Sequence, residues 1–272
     1  MRLSADDGQL RALVGRTRVF LLDLDGTVYI GDEPIGPMAR TLAAVRSSGR
    51  KLVFCTNNSS KSAQAYARKL KKLGLFGRED EVYTSGIAAA EYLRANFAGK
   101  RVFLVGTAAL RREFSARGIA LDDADPDVCV LAYDTALTFR KLALFNRFLA
   151  EGKPYIATHA DAVCPAKGVY PPDVGSFIEL LRCSSGRVPD VVCGKPGPVM
   201  GGLLASRLGV AANEVAMVGD RPYTDIRFGN NNGFGTVLVL SGETDAAAAE
   251  KLPPSDRPQA ILNSFNDIEK YL

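Results

Sequence analysis

The chain has 272 residues, 47% of them hydrophobic and 24% charged, a composition typical of a folded globular protein with one large domain or two of ordinary size. Its net charge of +4 is small and dispersed, which gives no support to nucleic-acid binding. No apolar run approaches the roughly 20 residues needed to span a bilayer, and residues 1–16 are too polar for a signal peptide. We therefore expect a cytoplasmic protein with neither nucleic-acid nor membrane partners.

The five cysteines form no C-x-x-C pair, and their number is odd. A disulfide framework or a zinc site would need paired spacing. The sequence therefore predicts buried thiols at Cys55, Cys129, Cys164, Cys183 and Cys193.

Two carboxylates follow an apolar run near the N-terminus. The run Val19 to Leu22 predicts a strand buried on both faces, and Asp23 and Asp25 come directly after it, before Gly26. At the carboxyl end of a parallel strand, two such carboxylates can share a divalent cation or divide the roles of nucleophile and acid. The pair alone is explained equally well as turn residues, because Asp-Gly favours turns.

The next strand is predicted over Lys51 to Cys55, after a helix near Pro37 to Ser47. It leads into Thr56, Asn57 and Asn58, and a following helix is expected to begin at Ser59 or Ser60. Hydroxyl, amide and free N–H groups at a helix start suit an anion such as phosphate. Plain helix capping by the same residues is the alternative.

Strands continue to alternate with helices further along the chain, which predicts a doubly wound parallel α/β sheet. Additional strands are expected at 101–105, 128–131 and 155–157, with helices near 110–116, 139–149 and 246–249.

Two more apolar runs end in charged residues. Residues 191–195 place Lys195 at a strand end, and residues 215–219 place Asp220 at another, with Asp225 five residues later. Lys195 does not belong to a nucleotide-binding P-loop, because Pro196 follows where Ser or Thr is required. No G-x-G-x-x-G follows a strand either, so dinucleotide binding is not supported.

These segments resemble, in order, the four motifs of the haloacid dehalogenase superfamily, and most closely its class IIA phosphatases of the NagD and 4-nitrophenylphosphatase type. The first is Asp-Leu-Asp-Gly-Thr from Asp23, the second Thr-Asn-Asn from Thr56, the third Gly-Lys-Pro around Lys195 and the fourth Gly-Asp-Arg-Pro-Tyr-Thr-Asp ending at Asp225. One departure is Pro222, where relatives commonly carry Leu.

The resemblance implies a Rossmann-like core domain formed by residues 1–81 and 189–272, with an inserted α/β cap domain at 82–188. It is also compatible with a homodimer that forms through the cap. Such a cap would close over the catalytic edge and exclude water.

The resemblance also implies a magnesium-dependent phosphatase acting on small-molecule phosphate monoesters of the sugar phosphate, nucleotide or pyridoxal phosphate type. Asp23 would take the phosphoryl group, and Asp25 would protonate the leaving group and then activate water. The phosphoryl oxygens would be held by Thr56, Asn57, Asn58 and Lys195. Mg²⁺ would be held by Asp23, the Asp25 carbonyl and Asp220, with Asp225 supporting the site from outside.

The cap segment from Thr158 to Tyr170 resembles the part of class IIA caps that faces the leaving group. It contains His159, Asp161, Cys164 and Lys167, which would contact substrate and set specificity. A lone histidine is more often structural than catalytic, and many relatives look to have Asn at this position.

Two other functions compete with this reading. Dehalogenases of the superfamily need no metal and lack an aspartate equivalent to Asp25, so Asp25 counts against them. A phosphometabolite-binding or regulatory protein without turnover is the second alternative. A protein without turnover would not need all the catalytic residues of the family, so the presence of Asp23, Asp25, Lys195 and Asp220 counts against this alternative.

Overall fold

The computed structural model describes residues 7–164 and 170–272. In these residues the strands are β1 (Val19–Leu22), β2 (Tyr29–Ile30), β3 (Glu33–Pro34), β4 (Lys51–Thr56), β5 (Glu81–Thr84), β6 (Arg101–Val105), β7 (Ala120–Leu121), β8 (Val128–Leu131), β9 (Tyr155–Ala157), β10 (Val191–Val192), β11 (Val215–Gly219), β12 (Gly235–Val239) and β13 (Ala260–Leu262). The helices are α1 (Asp7–Arg16), α2 (Met38–Ser47), α3 (Ala63–Lys72), α4 (Ser85–Asn96), α5 (Ala108–Ala116), α6 (Phe139–Ala150), α7 (Val174–Ser185), α8 (Pro198–Leu208), α9 (Arg227–Asn231) and α10 (Ala246–Ala249).

The chain divides into two compact units. The core unit comprises the described residues up to Thr56, together with Tyr66–Tyr83 and Pro196–Leu272, and the cap unit comprises Asn57–Ala65 and the described part of Thr84–Lys195. The boundaries at 82 and 188 drawn from the sequence stay a prediction.

The core unit is built on a six-stranded sheet in the order β13-β12-β11-β1-β4-β5. β1 lies between β11 and β4 and is parallel to both, and β12 is parallel to β11. The carboxyl ends of these strands therefore meet at one edge of the sheet. The residues that follow β1, β4, β11 and β12 all start from this edge, where open α/β sheets bind ligands.

β1 is buried as its apolar composition predicts. Each of its residues is at most 3% exposed, and the Phe20 ring packs edge-on against Phe265 with centroids 5.6 Å apart. A strand buried on both faces holds its carboxyl end in a fixed place, and this end carries Asp23.

The cap unit contains a five-stranded sheet in the order β10-β9-β8-β6-β7, and its strands pair in parallel. Its core centres on aromatic rings, with Phe145 packed edge-on against Tyr155 at 5.0 Å. Two parallel sheets flanked by helices confirm the predicted α/β class and the predicted strands over 101–105, 128–131 and 155–157.

Two details differ from the sequence prediction. The helix expected to begin at Ser59 or Ser60 begins at Ala63, because the Asn58 side chain accepts hydrogen bonds from the Ser60 backbone N–H at 2.9 Å and from its hydroxyl. This local turn competes with helix formation. Of the predicted buried thiols, Cys183 is exposed and Cys164 only half-buried. Cys183 lies in α7 but outside its buried face, which consists of Val174, Phe177, Ile178 and Leu181.

Among the described residues, no helix is both long and apolar enough to cross a membrane.

Candidate active site

The acidic edge of the core unit is formed by residues that directly follow two paired strands. The pairing of β1 with β11 extends past the strand end, since the Asp23 N–H donates to the Val218 carbonyl at 2.9 Å. Asp220 follows β11 directly. The register therefore brings these two carboxylates together, as the strand-end argument predicts.

Three carboxylates converge at this edge. One oxygen each of Asp23, Asp220 and Asp225 lies within 4.8 Å of the others. Asp23 is 9% exposed, while Asp220 and Asp225 are almost fully buried. Such a group of hard oxygen donors suits Mg²⁺.

Glycines make room for the buried carboxylates. A side chain at Gly26 or Gly242 would overlap the Asp220 carboxylate, and one at Gly219 would overlap that of Asp225. Gly26 also has a φ of +83°, a conformation that L-residues with a side chain rarely adopt. Its N–H donates to the Tyr29 carbonyl at 2.8 Å, which closes the turn after β1.

The segment Ser241–Thr244, which follows β12, wraps around Asp220. The Glu243 backbone N–H donates to Asp220 Oδ2 at 2.8 Å, and the Thr244 hydroxyl donates to the Asp220 carbonyl at 2.7 Å. The Ser241 hydroxyl donates to the Gly26 carbonyl at 2.8 Å. These contacts fix both the side chain and the backbone of Asp220.

The Glu243 side chain anchors this segment from outside. Its carboxylate accepts a hydrogen bond from the Tyr223 hydroxyl at 2.7 Å and lies 3.1 Å from Nε of Arg221. The Arg221 backbone N–H also donates to Asp225 Oδ2 at 3.2 Å.

Burial and neighbouring negative charges change the ionisation of Asp220. Burial, followed by the charges of Asp23 and Asp225, raises the pKa of Asp220 from 3.8 to about 7, while the Glu243 N–H opposes the shift. Three clustered carboxylates repel one another. A divalent cation would relieve that repulsion.

Asp25 and Thr56 lie at the ends of neighbouring strands. Asp25 is exposed, in contrast to Asp23 two residues before it, so the two carboxylates occupy different environments. Thr56 ends β4 and is 7% exposed. Their proposed roles stay predictions.

Three of the sequence-predicted residues meet in the cap unit. The Asn57 side chain hydrogen-bonds to both backbone groups of Lys195, at 2.9 Å each, and to the Asp161 carboxylate at 3.0 Å. Asn58 and Cys164 also meet, since Asn58 Nδ2 lies 3.5 Å from Cys164 Sγ. Lys167 lies outside the described residues.

His159 has no exposed surface. Its Nε2 lies 3.1 Å from Asp173 Oδ1, and its Nδ1 faces the hydroxyls of Thr158 and Ser85. Burial lowers the pKa of His159, but the hydrogen bond and the charge of Asp173 outweigh burial and raise the pKa above its ordinary value. Contact of His159 with substrate stays a prediction, whereas its place in a buried polar network is a structural fact.

The sequence argument missed the Ser-Gly-Glu-Thr segment at 241–244 and the aspartate at Asp173. The signal for the first was an apolar run over 237–240 that stops at small polar residues, the same pattern that identified the strand ends before Asp23, Thr56, Lys195 and Asp220. The signal for Asp173 was its position before an apolar helix, where its side chain accepts a hydrogen bond from the Val174 N–H.

Comparisons with known proteins identify the family of this chain. The sequence model of the haloacid dehalogenase-like hydrolases matches residues 20–120, and a second HAD-hydrolase-like model matches residues 192–268. The acid sugar phosphatase of Staphylococcus saprophyticus is 31% identical over 93% of this chain and 98% of its own length. This chain belongs to the haloacid dehalogenase-like hydrolases.

Solved structures of the family agree with the fold. The 4-nitrophenylphosphatase of Thermotoga maritima superposes with a TM-score of 0.91 at 38% identity, covering 95% of this chain and 98% of that one. The glycerol phosphate phosphatase of Mycobacterium tuberculosis in complex with magnesium superposes with a TM-score of 0.88 at 31% identity, covering 95% of this chain and 78% of that one. The same relative has been solved with calcium.

Within the family the chain resembles the NagD and 4-nitrophenylphosphatase type, and it is a phosphoric monoester hydrolase.

Proposed function

We propose that this HAD phosphatase hydrolyses small-molecule phosphate monoesters in a magnesium-dependent reaction, with Asp23 as the residue that takes the phosphoryl group. The observation that carries the proposal is the convergence of Asp23, Asp220 and Asp225 at the carboxyl edge of a parallel sheet.

The residues present fit a magnesium ion. Asp23, Asp220 and Asp225 offer carboxylate oxygens, and the raised pKa of Asp220, caused by burial and by the charges of Asp23 and Asp225, indicates an excess of negative charge. Asp23, the Asp25 carbonyl and Asp220 would hold the ion, with Asp225 outside them. The bound ion would neutralise charge on the phosphoryl oxygens.

The two aspartates of the first motif would divide the reaction between them. An Asp23 carboxylate oxygen attacks phosphorus while the bond to the ester oxygen breaks, and Asp25 gives its proton to the leaving alkoxide. Asp25, now a carboxylate, takes a proton from water as the water oxygen attacks the phosphorus on Asp23. The bond between Asp23 and phosphorus breaks, which releases inorganic phosphate and restores both residues.

The remaining motif residues would bind substrate. Thr56 and Lys195 would hold the phosphoryl oxygens, supported by Asn57 and Asn58. In the cap unit, Asp161, Cys164 and His159 would act on the leaving-group side, His159 from its buried position.

The relatives support a small-molecule phosphate ester as the substrate. They are named an acid sugar phosphatase, a 4-nitrophenylphosphatase and a glycerol phosphate phosphatase, names that refer to small phosphate esters. We propose a sugar phosphate, nucleotide or pyridoxal phosphate type of substrate for this chain.

The test is a panel of phosphate esters assayed for phosphate release with magnesium, and again after dialysis against excess chelator. We expect turnover that chelation abolishes and that added magnesium restores. Full activity in chelator would overturn the metal assignment. Binding of esters without phosphate release from any of them would favour the phosphometabolite-binding alternative.

A cytoplasmic location and a homodimer through the cap are also part of the proposal. Cell fractionation tests the first. Light scattering of the purified protein, with and without substitutions on the cap surface, tests the second.

A further inference from the structure

The side-chain amide of Asn57 is bonded to both backbone groups of Lys195. Asn57 Oδ1 accepts from the Lys195 N–H at 2.9 Å, and Nδ2 donates to the Lys195 carbonyl at 2.9 Å. The second Nδ2 hydrogen points to the Asp161 carboxylate, 3.0 and 3.2 Å away. An asparagine amide has two donor hydrogens, so both are used within the protein. Asn57 and Lys195 are 5% and 1% exposed.

Gly194 permits this approach. A Cβ at this position would lie 2.6 Å from Asn57 Oδ1 and 2.8 Å from the Thr158 carbonyl. The Gly194 N–H donates to that same carbonyl at 2.8 Å, which continues the pairing of β10 with β9 up to the residue before Lys195. The backbone of Lys195 is therefore held by strand pairing on its N-terminal side and by the Asn57 amide at the residue itself.

The backbone of Asn57 is fixed in turn by Ser85. The Ser85 hydroxyl donates to the Asn57 carbonyl and lies 3.3 Å from His159 Nδ1, and the other ring nitrogen faces Asp173 at 3.1 Å. Serine, histidine and aspartate in this order resemble a hydrolytic triad. Here all three residues are at most 3% exposed, and the Ser85 hydroxyl donates its hydrogen bond to the Asn57 carbonyl. This hydrogen-bonded row of Ser85, His159 and Asp173 therefore holds a backbone group and does not attack a substrate.

The far end of this row is anchored to a helix. Asp173 Oδ1 also accepts from the Val174 N–H at 2.7 Å, at the first turn of α7. A row of buried, hydrogen-bonded side chains has few alternative arrangements. It therefore links the N-terminus of α7 to the Asn57 backbone through consecutive contacts.

We propose that Asn57 is a positioning residue for Lys195, and that Ser85, His159 and Asp173 hold Asn57 in place. This inference rests on the proposed function, in which the Lys195 ammonium binds phosphoryl oxygens. In this proposal the Asn57 side chain does not contact the substrate itself. It positions Lys195, which does.

The substitution Asn57→Asp tests the inference with almost no change in shape. The remaining oxygen still accepts from the Lys195 N–H, but a second carboxylate oxygen now faces the Lys195 carbonyl and Asp161, and both contacts become repulsive. Because misplacing a group by about 1 Å can cost about 100-fold in rate, we expect kcat/KM to fall by about that factor. Calorimetric affinity for inorganic phosphate in the presence of magnesium should fall at least about tenfold. Affinity for magnesium alone should change less than about twofold.

A double-mutant cycle with Lys195→Met separates positioning from a general structural effect. If Asn57 acts through Lys195, adding Asn57→Asp to Lys195→Met should weaken phosphate binding by less than about threefold further. Independent, multiplying losses would overturn the inference. Phosphate binding unchanged in Lys195→Met would instead overturn the role of Lys195 in the proposed function. Weak binding in Lys195→Met with normal binding in Asn57→Asp would overturn the inference alone.

The matched control is Asn96→Asp, because Asn96 is exposed and donates to a single backbone carbonyl, that of Tyr92, at 3.0 Å. It should leave phosphate binding and turnover unchanged. If Asn57→Asp does not fold, Ser85→Ala replaces it, since this variant removes only the hydroxyl that holds the Asn57 carbonyl. Ser85→Ala should weaken phosphate binding by about three- to tenfold. Wild-type phosphate binding in a folded Ser85→Ala protein would overturn the role given to the row.

Discussion

The Glu243 backbone N–H donates to Asp220 Oδ2 at 2.8 Å, although the two residues are 23 positions apart in the chain. The contact depends on Gly242, since a Cβ there would lie 2.7 Å from Asp220 Cβ and would overlap the carboxylate. A backbone segment that follows β12 thus orients a carboxylate that follows β11.

The first prediction is that Gly242→Ala weakens magnesium binding by about 10- to 100-fold, the usual effect of disturbing a group that orients a metal ligand. Isothermal titration of the metal-free protein with magnesium measures it. Gly202→Ala is the matched control, because Gly202 is exposed in α8 and its added Cβ would meet nothing within 4 Å. Equal affinities of both variants and wild type would contradict the role of the segment.

The second prediction concerns pH. Because burial and neighbouring charges raise the pKa of Asp220 from 3.8 to about 7 in the folded protein, the folded state binds more protons than the unfolded state between these values. The free energy of unfolding of the metal-free protein therefore decreases as pH rises from about 4 to 7. Asp220 contributes up to a few kcal/mol to this decrease, at about 1.4 kcal/mol per pKa unit.

The variant Asp220→Asn isolates that effect. Its melting temperature relative to wild type should increase between pH 5 and pH 8 without metal, since the amide has no charge to bury. Added magnesium should raise the wild-type value at pH 8 and leave the variant unchanged. A difference between the two proteins that stays constant with pH would contradict the assignment.

The sequence was sufficient to predict where β1, β4 and β11 end, because apolar runs stop at Asp23, Thr56 and Asp220. Parallel pairing then required these ends to share an edge. The segment at 241–244 was not predicted, because its contact with the Asp220 carboxylate is made by a backbone N–H, and any residue other than proline has one.

The pairing of β10 was also beyond the sequence argument. Val191 and Val192 predict a strand, but two valines do not specify a neighbour, and the structure pairs them with Ile156 and Ala157 of β9. Contacts of Asn57 with Lys195 join positions 138 apart in the chain, which no local pattern encodes.

The third prediction separates metal binding from turnover. Calcium is larger than magnesium and takes six to eight ligands in variable geometry, so we expect it to bind the acidic edge but to support little hydrolysis. Titration with calcium should compete with magnesium in the calorimeter, and phosphate release with calcium should be far below that with magnesium. Equal turnover with both ions would contradict the magnesium site proposed at Asp23 and Asp220.

The fourth prediction is a stability effect away from the site. Arg46 binds Asp80 through two hydrogen bonds, at 2.6 and 3.0 Å, and the Asp80 side chain is only 3% exposed. Asp80→Ala leaves the guanidinium only its hydrogen bond to the Leu75 carbonyl and removes the acceptor of the Gly77 N–H. The loss of the carboxylate should cost about 3 kcal/mol. For a chain of this size that lowers the melting temperature by about 6 to 12 °C.

Asp32→Ala is the control for that variant, since Asp32 is 90% exposed and lies 3.5 Å from Lys69. An exposed pair contributes at most about 1 kcal/mol. Magnesium affinity should be normal in both variants. A melting temperature of Asp80→Ala equal to that of Asp32→Ala would show that the buried pair contributes nothing beyond an exposed one.

The last prediction tests the division of roles between Asp23 and Asp25. Asp25 is exposed, whereas Asp23 is only 9% exposed and lies beside Asp220 and Asp225. Exposure suits a residue that exchanges protons with the leaving group and with water, and burial beside the other carboxylates suits the nucleophile. Asp25→Asn keeps the shape but removes proton transfer, so steady-state turnover should fall by about 10²- to 10⁴-fold. Nitrophenolate leaves without a proton, and the first step should therefore survive better than hydrolysis of the phosphorylated Asp23.

Rapid quenching of Asp25→Asn with 4-nitrophenyl phosphate, followed by intact mass and peptide mapping, should reveal a phosphoryl group on Asp23. Asp23→Asn should lose more activity than Asp25→Asn and form no adduct, because it has no attacking carboxylate. Asp32→Asn, which changes an exposed carboxylate in the hairpin after the motif, should behave as wild type. Phosphate on a residue other than Asp23, or an active Asp23→Asn protein, would overturn the mechanism. Asp23 would then not be the nucleophile, and the different environments of Asp23 and Asp25 would not reflect different roles.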